Sequence, residues 1–209
     1  GGNFNWDQNG KFPTIAGPHY AMNEINFFEE FGPAAFTAKF RAEGMYNFGP
    51  SMSPTNAFQI LQGIETLPLR MQKHMENTAA LLEFLTSHDA VAWVRHPTLA
   101  DHPSYELVKK MLPRGAGSII VFGLKGGRDA GKAFIEAVDL ASHLANVGDA
   151  KTLVIHPAST THSHISAEAM LEGGLSDDMI RLSVGLEHVS DIIADFEQGF
   201  KAAARKTKS

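Results

Sequence analysis

Residues 179–186 read Met179-Ile180-Arg181-Leu182-Ser183-Val184-Gly185-Leu186. Successive side chains of an extended chain point to opposite faces. The spacing therefore predicts a strand that turns Ile180, Leu182, Val184 and Leu186 toward a core. Arg181, Ser183 and Gly185 share the other face, where small groups leave room beside the guanidinium. A cation on a core strand needs an anionic partner. The acids nearest in sequence are Asp177, Asp178 and Glu187. Two readings stand side by side: an ion pair with an acid elsewhere in the fold, or a ligand carboxylate held by two parallel hydrogen bonds.

Outward from this strand, the chain alternates between two periods. Strands are predicted at Val91-Ala92-Trp93-Val94, at Ser118 to Leu124 and at Thr152 to His156. Helices are predicted at about 103–111, 128–143 and 166–172, and a last helix carries Val189, Ile193, Phe196 and Phe200 on one stripe. Upstream, Ser53-Pro54 is a helix start, with Ser53 as N-cap and Pro54 in the first turn. Apolar residues then recur at Phe58, Leu61 and Ile64, and beyond Pro68 at Leu69, Met71, Met75, Ala79, Leu82 and Leu85. This predicts two helices, 54–66 and 68–87, or one helix kinked at Pro68. Residues 1–50 lack a clear period, with a weak helical pattern from Met22 to Phe40. They read as an arm, whose Phe27, Phe28, Phe31 and Phe36 are expected to self-associate or to be disordered. Strands alternating with helices indicate an α/β or α+β domain from residue 88 onward, after a first region of 1–87.

Composition narrows the function classes. The chain has 209 residues, 44% of them hydrophobic, which suffices for a real core. A net charge of -5 without a basic face argues against general nucleic-acid binding. The basic tail Lys201 to Lys208 ends a predicted helix, where cations complement the dipole. There is no cysteine, hence no disulfide framework or thiol chemistry. No apolar run approaches the roughly 18 residues that span a bilayer, so no membrane partner is expected. The opening Gly1-Gly2-Asn3-Phe4-Asn5-Trp6 is neither a signal peptide nor an initiator methionine, and the expectation is a chain that begins in mid-protein or after processing.

Other motifs carry less. His156, His162 and His164 have no acid at ligand spacing, so no metal site is expected. Gly123-Leu124-Lys125-Gly126-Gly127 lies between a strand and a helix but lacks the dinucleotide and Walker spacings. It reads as a plain turn. No serine sits in a nucleophile elbow.

Several segments, in one order, resemble the pyridoxal-phosphate-dependent Cys/Met metabolism family, and within it the C-terminal half of the O-acetylhomoserine sulfhydrylase branch. They are Gly17-Pro18-His19-Tyr20, Ser53 to Phe58, Leu61 to Arg70, Phe122 to Gly127, Ala145-Asn146-Val147-Gly148-Asp149, His156 to His162 and Arg181 to Glu187. The resemblance implies an α+β C-terminal domain of a fold-type I transferase, with a small, mostly antiparallel sheet covered by helices. An arm and long helix from the cofactor domain would precede it, giving domains 1–87 and 88–209. It implies γ-replacement on O-acetyl-L-homoserine by sulfide or a thiol, yielding homocysteine or methionine, with methionine γ-lyase and cystathionine γ-synthase as same-family alternatives. A non-catalytic partner chain is the alternative of another class. Arg181 would bind the substrate α-carboxylate, with Asn146 and Thr161 beside it. The Ser-x-Thr-Lys setting of the family's Schiff-base lysine is absent from this sequence, so no catalytic residue is expected here and the chain alone is expected to be inactive. The resemblance further implies pyridoxal 5'-phosphate in the full-length enzyme, a tetramer of full-length chains and a cytoplasmic location.

Overall fold

The structure, a computed structural model, describes residues 2–206. The last residues of the basic tail, 207–209, lie outside the described residues. The chain forms two compact units, Gly1–Gln62 and Gly63–Ser209. The helix over residues 67–87 packs within the second unit, because Leu81, Leu82 and Leu85 sit in that unit's core.

In the first unit, short helices α1 (Pro13–Ala16), α2 (Phe27–Phe31), α3 (Ala35–Lys39) and α4 (Tyr46–Phe48) surround a two-stranded hairpin, β1 (Pro18–His19) with β2 (Ile25–Asn26). Asn26 caps α2 by accepting from the Phe28 and Glu29 amides at 3.1 and 3.3 Å. Ile15, Phe27 and Ala35 form a small core, with Trp6 and Phe28 packed against it. Of the four phenylalanines of the aromatic arm, Phe27 is buried and Phe28 packs against the small core, while Phe31 and Phe36 remain 41% and 49% exposed. Helix α5 (Pro54–Glu65) begins as expected, with the Ser53 hydroxyl accepting from the Asn56 amide at 3.2 Å. Its Phe58, Leu61 and Ile64 are exposed rather than packed.

The second unit holds α6 (Leu67–Ser87), β3 (Val91–Arg95), α7 (Tyr105–Met111), β4 (Ile119–Leu124), α8 (Gly127–Ala137), β5 (Ser142–His143), β6 (Leu153–Ile155), α9 (Ala167–Glu172), β7 (Met179–Ser183) and α10 (Val189–Lys206). The strands form one sheet in the order β3-β4-β7-β6-β5. All pairs are antiparallel except β5 with β6. Strand β7 is therefore central and Arg181 is its middle residue. The alternation read from the sequence is present: Ile180, Leu182 and Val184 are fully buried with Ile120, Phe122 and Val154 of the neighbouring strands. The strand ends at Ser183, and Leu186 is only partly buried.

Helices α8, α10 and the C-terminal half of α6 cover this apolar face. Phe122, Phe134, Phe196 and Phe200 make a ring cluster with centroids 5.1–6.5 Å apart. Each fully buried ring is worth about 1.5–3 kcal/mol. The stripe of α10 is rotated from the expected one: Ile192, Phe196, Gly199, Phe200 and Ala203 are buried, whereas Ile193 packs only partly. A Cβ on Gly199 would lie 2.6 Å from Phe134 Cδ2, so the close approach of α10 to α8 requires glycine there. The helix expected over 128–143 stops at Ala137. The buried Asp195 carboxylate accepts from the Asp139 and Ala141 amides at 2.7 and 3.0 Å, which turns the chain so that Ser142 pairs with Leu153.

His156 bolts the exit of β6. It is fully buried, with Nε2 2.7 Å from the Asp177 carbonyl and Nδ1 2.8 Å from the Ser159 hydroxyl. The neutral ring satisfies both contacts by donating from Nε2 and accepting at Nδ1. Burial, opposed by the Asp177 carbonyl and aided by nearby Arg128, holds its pKa below the usual histidine value.

Two outcomes follow from this packing. Gly199→Leu is expected to lower the urea unfolding midpoint by an amount equivalent to about 1–3 kcal/mol, while Lys201→Ala on the exposed side of α10 leaves it unchanged. Because the folded-state pKa of His156 is depressed, the unfolded chain takes up the proton more readily. The contribution of His156 is complete above about pH 6.5 and is withdrawn as pH falls below it. Unfolding midpoints measured at pH 7 and pH 5 are expected to fall with pH, and to fall less in the already weaker His156→Gln variant.

Candidate anion-binding site

The sheet face opposite the helices carries the site. Strand pairing sets Arg181 between Val121 on β4 and Ile155 on β6. Directly paired residues project from the same face, so the guanidinium rises from an apolar floor. A cavity of about 670 Å³ opens above it, lined by Val121, Ile155, Met179, Pro157, Thr161 and Arg181 among others.

Among the described residues, no acid serves as the anionic partner that the sequence left open. Each carboxylate near Arg181 in sequence is engaged elsewhere. Asp177 lies 4.0 Å from Arg128, Asp178 accepts from the Trp93 indole at 2.8 Å, and Glu187 accepts from the Thr152 amide and hydroxyl at 2.7 and 2.8 Å. Among the described residues, Arg181 makes no ion pair. Its Nη2 donates to the Asn146 carbonyl at 3.1 Å, and its buried Nε–H has no protein acceptor. A buried donor left unsatisfied costs about 1–3 kcal/mol. A carboxylate arriving from the cavity would recover that cost.

The loop 144–150 holds the arginine from one side. The Gly148 amide donates to the Ser183 hydroxyl at 3.2 Å, which ties this loop to β7 two residues beyond Arg181. Asn146 thus meets Arg181 through its backbone carbonyl. Its side-chain oxygen accepts from the Val147 amide at 2.9 Å and it does not line the cavity. Thr161 does line the cavity, with its hydroxyl 2.9 Å from His162 Nδ1. The structure therefore brings the three expected residues to one place, with Asn146 contributing main chain.

Sequence reasoning missed Arg95, His96 and His102, which line the same cavity. The predicted strand stopped at Val94, one residue short of the arginine. His96 is 2% exposed, its Nδ1 accepts from Thr98, and burial lowers its pKa. No aspartate, glutamate or lysine is among the cavity-lining residues, which include two arginines and three histidines. Among the described residues, no group of three His, Cys, Asp or Glu side chains is placed to hold a metal ion, and no helix is long and apolar enough to cross a membrane.

The fold and this face can be set beside known proteins. A sulfhydrylase of Fusarium oxysporum is 45% identical over 97% of this chain, and an O-acetyl-L-homoserine sulfhydrylase of Thermus thermophilus is 44% identical over 95%. The chain covers 47% of each, so it spans about half the length of the curated relatives it matches. A solved Campylobacter jejuni structure, assigned as an O-acetylhomoserine (thiol)-lyase and carrying a pyridoxyl-lysine phosphate, superposes with a TM-score of 0.80 at 34% identity. That match covers 93% of this chain and 46% of the other. The family profile for Cys/Met metabolism PLP-dependent enzymes matches residues 14–201. With nearly the whole chain matched, in sequence and in fold, this protein belongs to the Cys/Met metabolism PLP-dependent enzyme family.

Proposed function

We propose that this chain is the carboxylate-binding portion of a sulfhydrylase that converts O-acetyl-L-homoserine and sulfide (or a thiol) to homocysteine (or methionine) by γ-replacement. The bond from Cγ to the acetyl oxygen breaks, a bond from Cγ to sulfur forms, and acetate departs. The observation that carries the reading is the Arg181 guanidinium, half-buried in a cavity without carboxylates and keeping a buried Nε–H free for a ligand. The names of the matched relatives support the choice of substrate.

Within this reading the residues present bind and orient. Nε–H and one Nη–H of Arg181 form the planar fork that grips a carboxylate, and the Asn146 carbonyl fixes the fork's rotation. Thr161 flanks the bound end of the substrate. Fixing the carboxylate fixes the direction of the Cα–H bond, a positioning contribution. The pyridoxal phosphate of the family finds no fitting partner in this cavity. Among the described residues, no lysine lines it to hold the cofactor covalently, and no acid lines it to meet a ring nitrogen. No step is therefore assigned to the cofactor here. In the proposal the cofactor lysine comes from a part of the enzyme other than this cavity, and regions 1–87 and 88–209 belong to the cofactor domain and the C-terminal domain. The resemblance also carries a cytoplasmic location and a tetramer of full-length chains.

In the full-length enzyme, Arg181→Ala is expected to raise KM strongly and to cut kcat/KM by about 2–4 kcal/mol, the scale for removing one partner of a buried charged pair. Sulfide-dependent turnover of O-acetyl-L-homoserine checks it. An unchanged kcat/KM removes Arg181 from the site, and turnover of methionine in place of O-acetyl-L-homoserine sinks the sulfhydrylase reading. The 209-residue chain alone is expected to show no turnover with added pyridoxal phosphate; steady turnover, with no longer species present, would contradict the placement of the cofactor lysine.

A further inference from the structure

The loop that steadies Arg181 has no apolar anchor of its own. None of its residues, 144–150, is buried, and its Leu144 and Val147 are 43% and 60% exposed. Hydrophobic packing therefore does not set its place. Hydrogen bonds to the chain that follows Arg181 do. The Gly148 amide donates to the Ser183 hydroxyl at 3.2 Å, and the Leu186 amide donates to the Ala150 carbonyl at 2.8 Å. Where the loop re-enters the sheet, the Glu187 carboxylate accepts from the Thr152 amide and hydroxyl at 2.7 and 2.8 Å. The same Thr152 hydroxyl accepts from the Gly185 amide at 3.0 Å.

The residues 183–187 divide this work among themselves. Ser183 is buried at the end of the central strand, so its hydroxyl is a fixed post for the loop. Gly185 makes room for the second tie: a Cβ there would overlap both the Glu187 carboxylate and the Thr152 amide. Among the described residues Glu187 makes no ion pair. Its charge is spent on two hydrogen bonds to Thr152, and such charge-assisted bonds are about twice as strong as neutral ones. The two ties, at Gly148 and at Thr152, bracket the segment that carries Asn146. They thereby hold the Asn146 carbonyl against Arg181 Nη2, 3.1 Å away.

We propose that Ser183 and Glu187 are positioning residues for Arg181: together they dock the loop whose Asn146 carbonyl sets the rotation of the guanidinium fork. The inference rests on the reading of Arg181 above and adds what keeps the fork aimed before a carboxylate arrives. With either tie cut, the loop leaves the arginine and the fork rotates freely about its last bonds. Binding must then order that side chain, and affinity falls by the entropy this costs.

Two readouts on the ¹⁵N-labelled 209-residue chain test this without turnover. In the ligand-free chain, the order parameter of the Arg181 Nε–H is expected to be high and to fall in Ser183→Ala and in Glu187→Gln, while that of Arg128 stays constant. Glutamine at 187 can accept only one of the two bonds from Thr152. Hexanoate is expected to bind about twofold to tenfold more weakly to both variants, the scale of one net hydrogen bond. Ser183→Thr keeps the hydroxyl and is expected to keep order and affinity. Lys151→Ala, an exposed side chain beside the same loop, is expected to change neither. Urea midpoints measured alongside separate stability from positioning, and Glu187→Gln carries the test if Ser183→Ala does not fold. A lowered midpoint with Arg181 order unchanged means a structural role alone and overturns the inference. So does an Arg181 that is already disordered in the parent chain. If Arg181 loses order and hexanoate affinity stays the same, the positioning stands and the reading of Arg181 as the carboxylate's partner fails instead.

Discussion

A guanidinium at the middle of the central strand is the constraint around which the second unit is arranged. Its charge cannot be buried against the helices, so one face of the sheet must stay open to an anion while the other is sealed. The local acids could have neutralised it, and the fold gives each of them another partner. Asp178 goes to the Trp93 indole, Glu187 to the Thr152 amide and hydroxyl, and Asp177 toward Arg128. The result is a cation with fixed orientation and an unfilled valence, which a pre-organised anion site requires.

The apolar face provides the rigidity that makes this orientation meaningful. Ile180 and Leu182, the immediate neighbours of Arg181, are fully buried under the aromatic cluster of α8 and α10. Movement of the arginine's backbone would carry those two side chains out of a close-packed core. At the strand's end, Asn77 of α6 donates to the Gly185 and Glu187 carbonyls at 3.0 and 2.8 Å, and His74 Nδ1 meets the Val184 carbonyl at 2.6 Å. The N-terminal half of α6 thus serves the segment following β7 through polar contacts, and its C-terminal half serves the core through leucines.

Much of this was legible in the sequence, for physical reasons that differ by element. Strand β7 was legible because alternation has a period of two and Arg181 marked its face. Helices α5 and α6 were legible from Ser53, Pro54 and the apolar spacing, although exposure of Phe58, Leu61 and Ile64 shows that spacing gives a stripe and not its burial. The end of α8 was hidden because the group that turns the chain, Asp195, lies more than fifty residues away in sequence, and two-residue β5 is too short to show a period. Arg95 was hidden by the Ala92 bulge, since counting by two along that strand assigns it to the wrong face. The identity of the family came from motif resemblance. The reason that Arg181 is free for a ligand came only from seeing where its neighbouring acids go.

The central claim is that the Arg181 Nε–H waits for a carboxylate. The most direct measurement is the arginine Nε–H spectrum of the ¹⁵N-labelled chain, with the Arg181 signal assigned through Arg181→Lys, during titration with hexanoate. The account predicts that this one signal moves downfield and saturates, while the Arg128 signal stays in place. An Arg181 signal that does not move at saturating carboxylate would contradict it.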